Sequence, residues 1–271
     1  MATFEDFATE VAGWPVERQG FAFYQEGQSK SAGDTGTFAL ASISKLLSAW
    51  TILIAVDRGH LTLDTRLARN GATVAELLSH AGGVDDYRER YRTPGLRRIY
   101  SSLAYDILAD GLHRAQGLPF AQYMRLFLCD PLGMNNTYLD GRAGVDCFST
   151  LPDLLAFMKE VDQPTLLSPE TAKLAGEVAY PNLDGVVPGY GLFRPCDWGM
   201  GFELKGTKKE HWMGESLPPN TKGHFGQAGT FFWHNPENHT GAILLTNCAF
   251  GPWASERWGE FNTRLADLSL K

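Results

Sequence analysis

The sequence predicts an α/β (α+β) protein in which an antiparallel sheet, built from both ends of the chain, is flanked by helices and interrupted by a mostly helical insertion. Three observations carry this. Strand-like apolar runs occur near residues 21–32 and again at 229–247. Helix-periodic apolar patterns fill the middle, from about residue 66 to 175. Strands at the two ends with helices between them pack most simply as one sheet with an inserted helical part.

Phe21-Ala22-Phe23-Tyr24-Gln25, a Glu26-Gly27 turn and Gln28 to Ala32 read as a β-hairpin whose first strand is apolar enough to be buried. Phe38 to Val56 reads as a helix running through the interior, because apolar residues fall on every side of it. Gly59, in Arg58-Gly59-His60, stands where a left-handed residue closes such a helix. Thr73 caps a helix over Val74–His80 that stops at Ala81-Gly82-Gly83. From Ser101 to Gln116, Leu103, Ile107, Leu108 and Leu112 share one side of a further helix. Phe120 to Leu128 continues the pattern until Pro131-Leu132-Gly133 breaks it, and Pro152 to Val161 is amphipathic.

Residues 176–223 are rich in Gly and Pro and read as turns and short strands, most regular at Trp198–Leu204. Gly229–His234 and Gly241–Asn247 form a second strand pair about Pro236-Glu237-Asn238. A closing helix follows over Trp253–Leu268, apolar at Trp258, Phe261, Leu265 and Leu268. The expected organisation is a single domain over 1–271, with a sheet subdomain at about 1–65 and 176–271 and a helical one at about 66–175. No repeat, low-complexity tract or linker interrupts it.

Composition narrows the function. The 271 residues are 44% hydrophobic and 20% charged, ordinary for a globular chain. A net charge of −7 and a pI near 5.5 disfavour nucleic acid and anionic membrane surfaces as partners. The most apolar run, Leu46 to Val56, is about half a membrane span. The first residues have neither the basic nor the apolar region of a signal peptide, so a cytoplasmic location is expected. Cys129, Cys147, Cys196 and Cys248 lie far apart with no zinc spacing and are expected to be free thiols.

Ser42 and Lys45 stand three residues apart at the head of the apolar helix, a spacing that puts both on one face with Cβ atoms roughly 5–6 Å apart. Burial disfavours an ammonium, lowering a lysine pKa by up to about 3–5 units. A neutral amine can take the proton of a serine attacking a carbonyl, and a helix N-terminus favours negative charge there. A helix cap at Ser42 and a snorkelling surface lysine at 45 fit the same spacing. Taken alone, the tetrapeptide does not decide between them.

The order of motifs does more. Phe38-Ala39-Leu40-Ala41-Ser42-Ile43-Ser44-Lys45 is followed by Gly59-His60-Leu61-Thr62-Leu63-Asp64 and Glu76-Leu77-Leu78-Ser79-His80-Ala81-Gly82-Gly83. Pro94-Gly95, Tyr100-Ser101-Ser102 and Pro131-Leu132-Gly133-Met134 come next, then Gly199-Met200-Gly201-Phe202 and Gly223-His224-Phe225-Gly226. Together they resemble the serine β-lactamase and penicillin-binding-protein superfamily, in its class C-like esterase and DD-peptidase branch.

The resemblance implies a β-lactamase/transpeptidase-like fold and a serine hydrolase that works through an acyl-enzyme, without metal or cofactor. It implies Ser42 as nucleophile, Lys45 as its base partner and Tyr100 as the phenol of a Y-x-N motif. It places the family's K-T-G on His224-Phe225-Gly226, with the backbone N–H groups of Ser42 and Gln227 as oxyanion hole. Two departures shape the expected substrate. Ser102 replaces the asparagine of Y-x-N, and His224 replaces a lysine that would meet a carboxylate. Both favour a small ester or a weakly charged substrate over an anionic β-lactam, and the expected activity is hydrolysis of small esters or related amides. β-Lactamase or DD-peptidase activity is the alternative, and a catalytically silent ligand-binding or sensor protein is a third reading. The oligomeric state is left open.

Other charged residues are read more plainly. Arg88, Arg90, Arg92, Arg97 and Arg98 form a solvated loop balanced by Asp85, Asp86 and Glu89, or alternatively a rim that captures an acidic substrate. Asp85-Asp86 is a charged turn, His80 hydrogen-bonds locally at a helix end, and His234 and His239 flank a turn without metal spacing. There is no G-x-S-x-G and no G-x-G-x-x-G.

Overall fold

Residues 2–86 and 90–270 are described by a computed structural model, and both ends of the chain meet in a six-stranded antiparallel sheet. Its strands are β1 (Gln19–Gln25), β2 (Gln28–Gly33), β3 (Glu203–Leu204), β4 (Lys222–Gly226), β5 (Thr230–Asn235) and β6 (Thr240–Thr246). They lie in the order β3-β4-β5-β6-β1-β2. The N-terminal hairpin therefore joins the last strand, with Gln19 opposite Thr246 and Gln25 opposite Thr240.

Side chains alternate across a strand, and here both faces are covered. Phe21, Phe23, Phe231, Trp233, Ala242 and Leu244 pack on one side, against helices α1 (Phe4–Ala12) and, late in the chain, Trp258–Leu265. Ala22, Tyr24, Phe232, Ile243 and Leu245 pack on the other, against α2 (Ser44–Asp57) and the helices that follow it. This explains why β1 reads as a continuous apolar run. The remaining helices are α3 (Val74–Leu78), α4 (Leu103–Gln116), α5 (Phe120–Met124), α6 (Leu151–Asp162), α7 (Pro169–Lys173), α8 (Pro252–Ser255) and α9, the 258–265 helix just named. Helix α6 packs directly on β1, β5 and β6.

Several elements differ from expectation. The sequence pattern predicts no helix before Phe21, yet α1 is capped by a reciprocal Thr3–Asp6 box and turns Phe4, Phe7 and Val11 into the core. Helix α7 also lies in a stretch with no assigned element. The central helix does not begin at Phe38. Phe38 and Ala39 pair instead with Ser149 and Phe148, and Ala41 adopts φ +47, which breaks the path before a 3₁₀ turn over Ala41–Ile43. Only from Ser44 is the chain α-helical. Past α5, residues Arg125–Cys129 widen to a π-turn, and the closing helix divides into α8 and α9. Among the described residues, no helix is long and apolar enough to cross a membrane.

Candidate active site

The 3₁₀ turn that carries Ser42 is held from both sides. Leu40 N–H donates to Cys147 O at 2.9 Å, and Thr230 Oγ1 donates to Leu40 O at 3.0 Å. The end of β4 approaches this turn so closely that a side chain at Gly226 would collide with Leu40 O and Thr230 Oγ1. Ser44, Lys45 and Ser48, polar residues in the first half of α2, all point to segment 143–147. Ser44 Oγ accepts from Cys147 N at 3.0 Å and Ser48 Oγ donates to Ala143 O at 2.6 Å.

Lys45 is fully buried, and its Nζ reaches three oxygens: Gly144 O at 2.8 Å, Ser102 Oγ at 2.9 Å and Ser42 Oγ at 3.3 Å. An ammonium has three donors, so this set satisfies it completely. Burial nevertheless pulls its pKa down to about 7, against the opposing pull of the Asp86 carboxylate and with the help of Arg142. Tyr100 donates its hydroxyl to Ser42 Oγ at 2.6 Å, and Lys45 Nζ lies 4.8 Å from the Tyr100 ring. Neither the surface cap nor the snorkelling lysine describes these two residues.

A cleft of about 800 Å³ opens over Ser42, lined also by Tyr100, Ser102, His224 and Gln227. Gly226 is not part of the lining; it lies buried beneath, where it permits the close approach of β4. Ser102 is nearly buried and turned toward Lys45. His224 is buried, and its Nδ1–H donates to Phe225 O at 2.6 Å. Burial, with Lys45 adding to it, pushes the His224 pKa down to about 3, so the ring is neutral. Gln227 is fixed through its carbonyl, which accepts from Phe250 N at 2.9 Å. Behind Tyr100, His80 accepts from Ser101 N through Nδ1 at 3.2 Å and packs its ring 4.8 Å from that of Tyr100.

Some residues set aside in the sequence have firm positions. Arg98 is not a solvated charge: it is 3% exposed, and its guanidinium donates to the carbonyls of Ser79, Cys196, Ala179 and Tyr180. It ties the segment before Tyr100 to the 179–196 region. Arg92 and Arg97 do line the cleft, whereas Arg88 and Glu89 lie outside the described residues. Asp86 is more than a charged turn, since its carboxylate accepts from Ser101 Oγ, Ser102 N and Leu103 N. No local sequence signal marks it, because its partners stand 15 to 17 residues away. His234 and His239 both meet Asp162 Oδ1, at 2.8 and 2.7 Å. All four cysteines are free, three of them buried.

A sheet made from both chain ends, with a Ser-x-x-Lys turn at its edge, is the architecture of serine hydrolases of the β-lactamase and penicillin-binding-protein type. The Beta-lactamase family model matches residues 9–263, and the chain belongs to that family. Among solved structures, a β-lactamase from Mycobacterium bovis is 38% identical with a TM-score of 0.92, covering 95% of this chain and 97% of that one. A mutant simvastatin synthase from Aspergillus terreus shares the fold at 16% identity, with a TM-score of 0.77 and 96% of each chain covered. Penicillin-binding protein 4* of Bacillus subtilis (strain 168) is 22% identical over 204 residues, or 61% of this chain and 44% of its own length. The chain thus spans less than half the length of the curated relatives it matches.

Proposed function

We propose that the protein hydrolyses small, uncharged esters through an acyl-enzyme on Ser42. The observation that carries this reading is the placement of Ser42 Oγ between the Tyr100 hydroxyl and the Lys45 amine. Ser42 Oγ adds to the ester carbonyl while its proton passes to Lys45, directly or by way of the Tyr100 oxygen. The backbone N–H groups of Ser42 and Gln227 receive the oxyanion. Collapse breaks the ester C–O bond, and the departing alcohol takes the proton back. Water then adds to the acyl-serine by the same route in reverse, releasing the acid and restoring Ser42.

The uncharged substrate is supported by the neutral His224 ring where the family's lysine would offer a positive charge. It is supported also by Ser102, whose hydroxyl is engaged by Lys45 rather than extended toward a substrate amide. The cleft wall of Val145, Val186, Val187 and Pro188 suits an apolar acyl or alcohol group. Wild-type protein should turn over p-nitrophenyl butyrate, and Ser42→Ala should not while remaining folded. Wild-type rates in that variant would remove the mechanism.

β-Lactam hydrolysis is the second reading, favoured by the 38% identical Mycobacterium bovis structure described as a β-lactamase. The two separate on kcat/KM for nitrocefin against short p-nitrophenyl esters, with the ester higher on the reading proposed here. A burst of one equivalent and no steady phase with esters, amides and β-lactams alike would replace both with a ligand-binding role.

A further inference from the structure

Ser102 stands at the N-cap position of α4, where a serine hydroxyl ordinarily accepts from an N–H of the first turn. Here its backbone is already helical (φ −81, ψ −30) and it makes no capping bond; its Oγ accepts instead from Lys45 Nζ at 2.9 Å. The capping is done from elsewhere. Asp86 Oδ2 accepts from Ser102 N at 2.6 Å, and its Oδ1 accepts from Leu103 N at 2.7 Å. Oδ1 also accepts from Ser101 Oγ at 2.5 Å, and that hydroxyl oxygen in turn accepts from Ala104 N at 3.0 Å. Three N–H groups at the start of α4 are satisfied by one carboxylate and the serine it orients. A negative charge at this end also suits the helix dipole.

We propose that Asp86 is a positioning residue: its carboxylate fixes the start of α4, and with it the backbone of Ser102, so that the Ser102 hydroxyl stays on Lys45. Without that carboxylate, the N–H groups of Ser102 and Leu103 would be left unsatisfied in a half-buried place. With the backbone at residue 102 released, its hydroxyl would leave Lys45, which would keep only Gly144 O and Ser42 Oγ. The line of contact runs from Asp86 through the backbone of residue 102 to its hydroxyl, then to Lys45 and Ser42. The carboxylate also favours the charged form of Lys45 against the effect of burial.

This inference rests on Lys45 acting as the base in the reaction proposed above. The test is a double-mutant cycle on p-nitrophenyl butyrate hydrolysis with Asp86→Ala, Ser102→Ala and the two combined. Each single change should lower kcat/KM by roughly 10- to 100-fold, and the pair should be no worse than the poorer single within about threefold. Losses that multiply would overturn the proposal. If Asp86→Ala fails to fold by circular dichroism, the cycle is run with Asp86→Asn, which keeps one acceptor oxygen. In Asp86→Asn the acid limb of kcat/KM should move to lower pH, since Lys45 loses the charge that favours its protonation; an unmoved limb also overturns the proposal. Ser42→Ala is measured alongside, and full turnover there would sink the serine mechanism itself, with the positioning role falling for that separate reason.

Discussion

Tyr100 Oη lies 2.6 Å from Ser42 Oγ, nearer than Lys45 Nζ at 3.3 Å. The phenol is the closer hydrogen-bond partner of the nucleophile, and the amine contacts the hydroxyls of Ser42 and Ser102. To relay the Ser42 proton, the Tyr100 oxygen must hand on its own proton as it takes that one up. Tyr100→Phe should cost about 10²–10⁴ in kcat/KM with p-nitrophenyl butyrate, the usual span for a positioned proton-transfer group. Its melting temperature should stay close to that of the wild type. A loss below threefold would remove Tyr100 from proton transfer.

Lys45 must be neutral to accept a proton. With its pKa drawn down to about 7 by burial, the acid limb of kcat/KM should have its midpoint near pH 7, a neutral ester keeping substrate ionisation out of the profile. A limb centred near pH 4–5 would point to a carboxylate base instead.

The same residue ties stability to pH. Between pH 7 and pH 9 the folded chain gives up the Lys45 proton while the unfolded chain, at about 10.4, keeps it. The unfolded state then binds more protons, so this group's contribution rises with pH, by about 2 kcal/mol over the window. Lys45→Met has no such group. Urea unfolding of wild type and variant at pH 7 and pH 9 should therefore show the wild type gaining on Lys45→Met by about that amount. Equal changes in both proteins would contradict a lysine with a lowered pKa.

His224 offers no positive charge to the cleft. His224→Lys should raise the kcat/KM ratio of a carboxylate-bearing p-nitrophenyl ester over its neutral analogue by about tenfold, the worth of roughly 1.4 kcal/mol in one charge-assisted contact. No change in the ratio would mean that this position does not face the substrate.

The parts legible in the sequence were those written in local spacing. Strand β1 was readable because burial on both faces forces an unbroken apolar run, and Ser42 with Lys45 because three residues make one helical turn. Contacts between distant segments left no such mark. Ser102 reaches Lys45 across 57 residues, and Asp86 caps α4 across 16 or 17. Arg98 looked like one more charge in an arginine-rich loop, yet its four carbonyl partners come from two other segments. Helix α1 did carry a signal, the Thr3-x-x-Asp6 box, but nine residues are too few for periodicity to stand out. The break before Ser42 was hidden because its positive φ falls on an alanine rather than a glycine.

The strand order has a consequence for how the chain is born. Strand β1 sits between β2 and β6, so one of its two long edges is covered only by residues 240–246. At roughly 5–20 residues per second, a ribosome that has finished the hairpin needs about 10–45 s more to deliver that partner. Throughout that interval Phe21, Ala22, Phe23 and Tyr24 form an apolar ribbon with an open edge, the kind of surface on which nascent chains stick to one another. The open edge of β1 closes only when residues 240–246 have emerged.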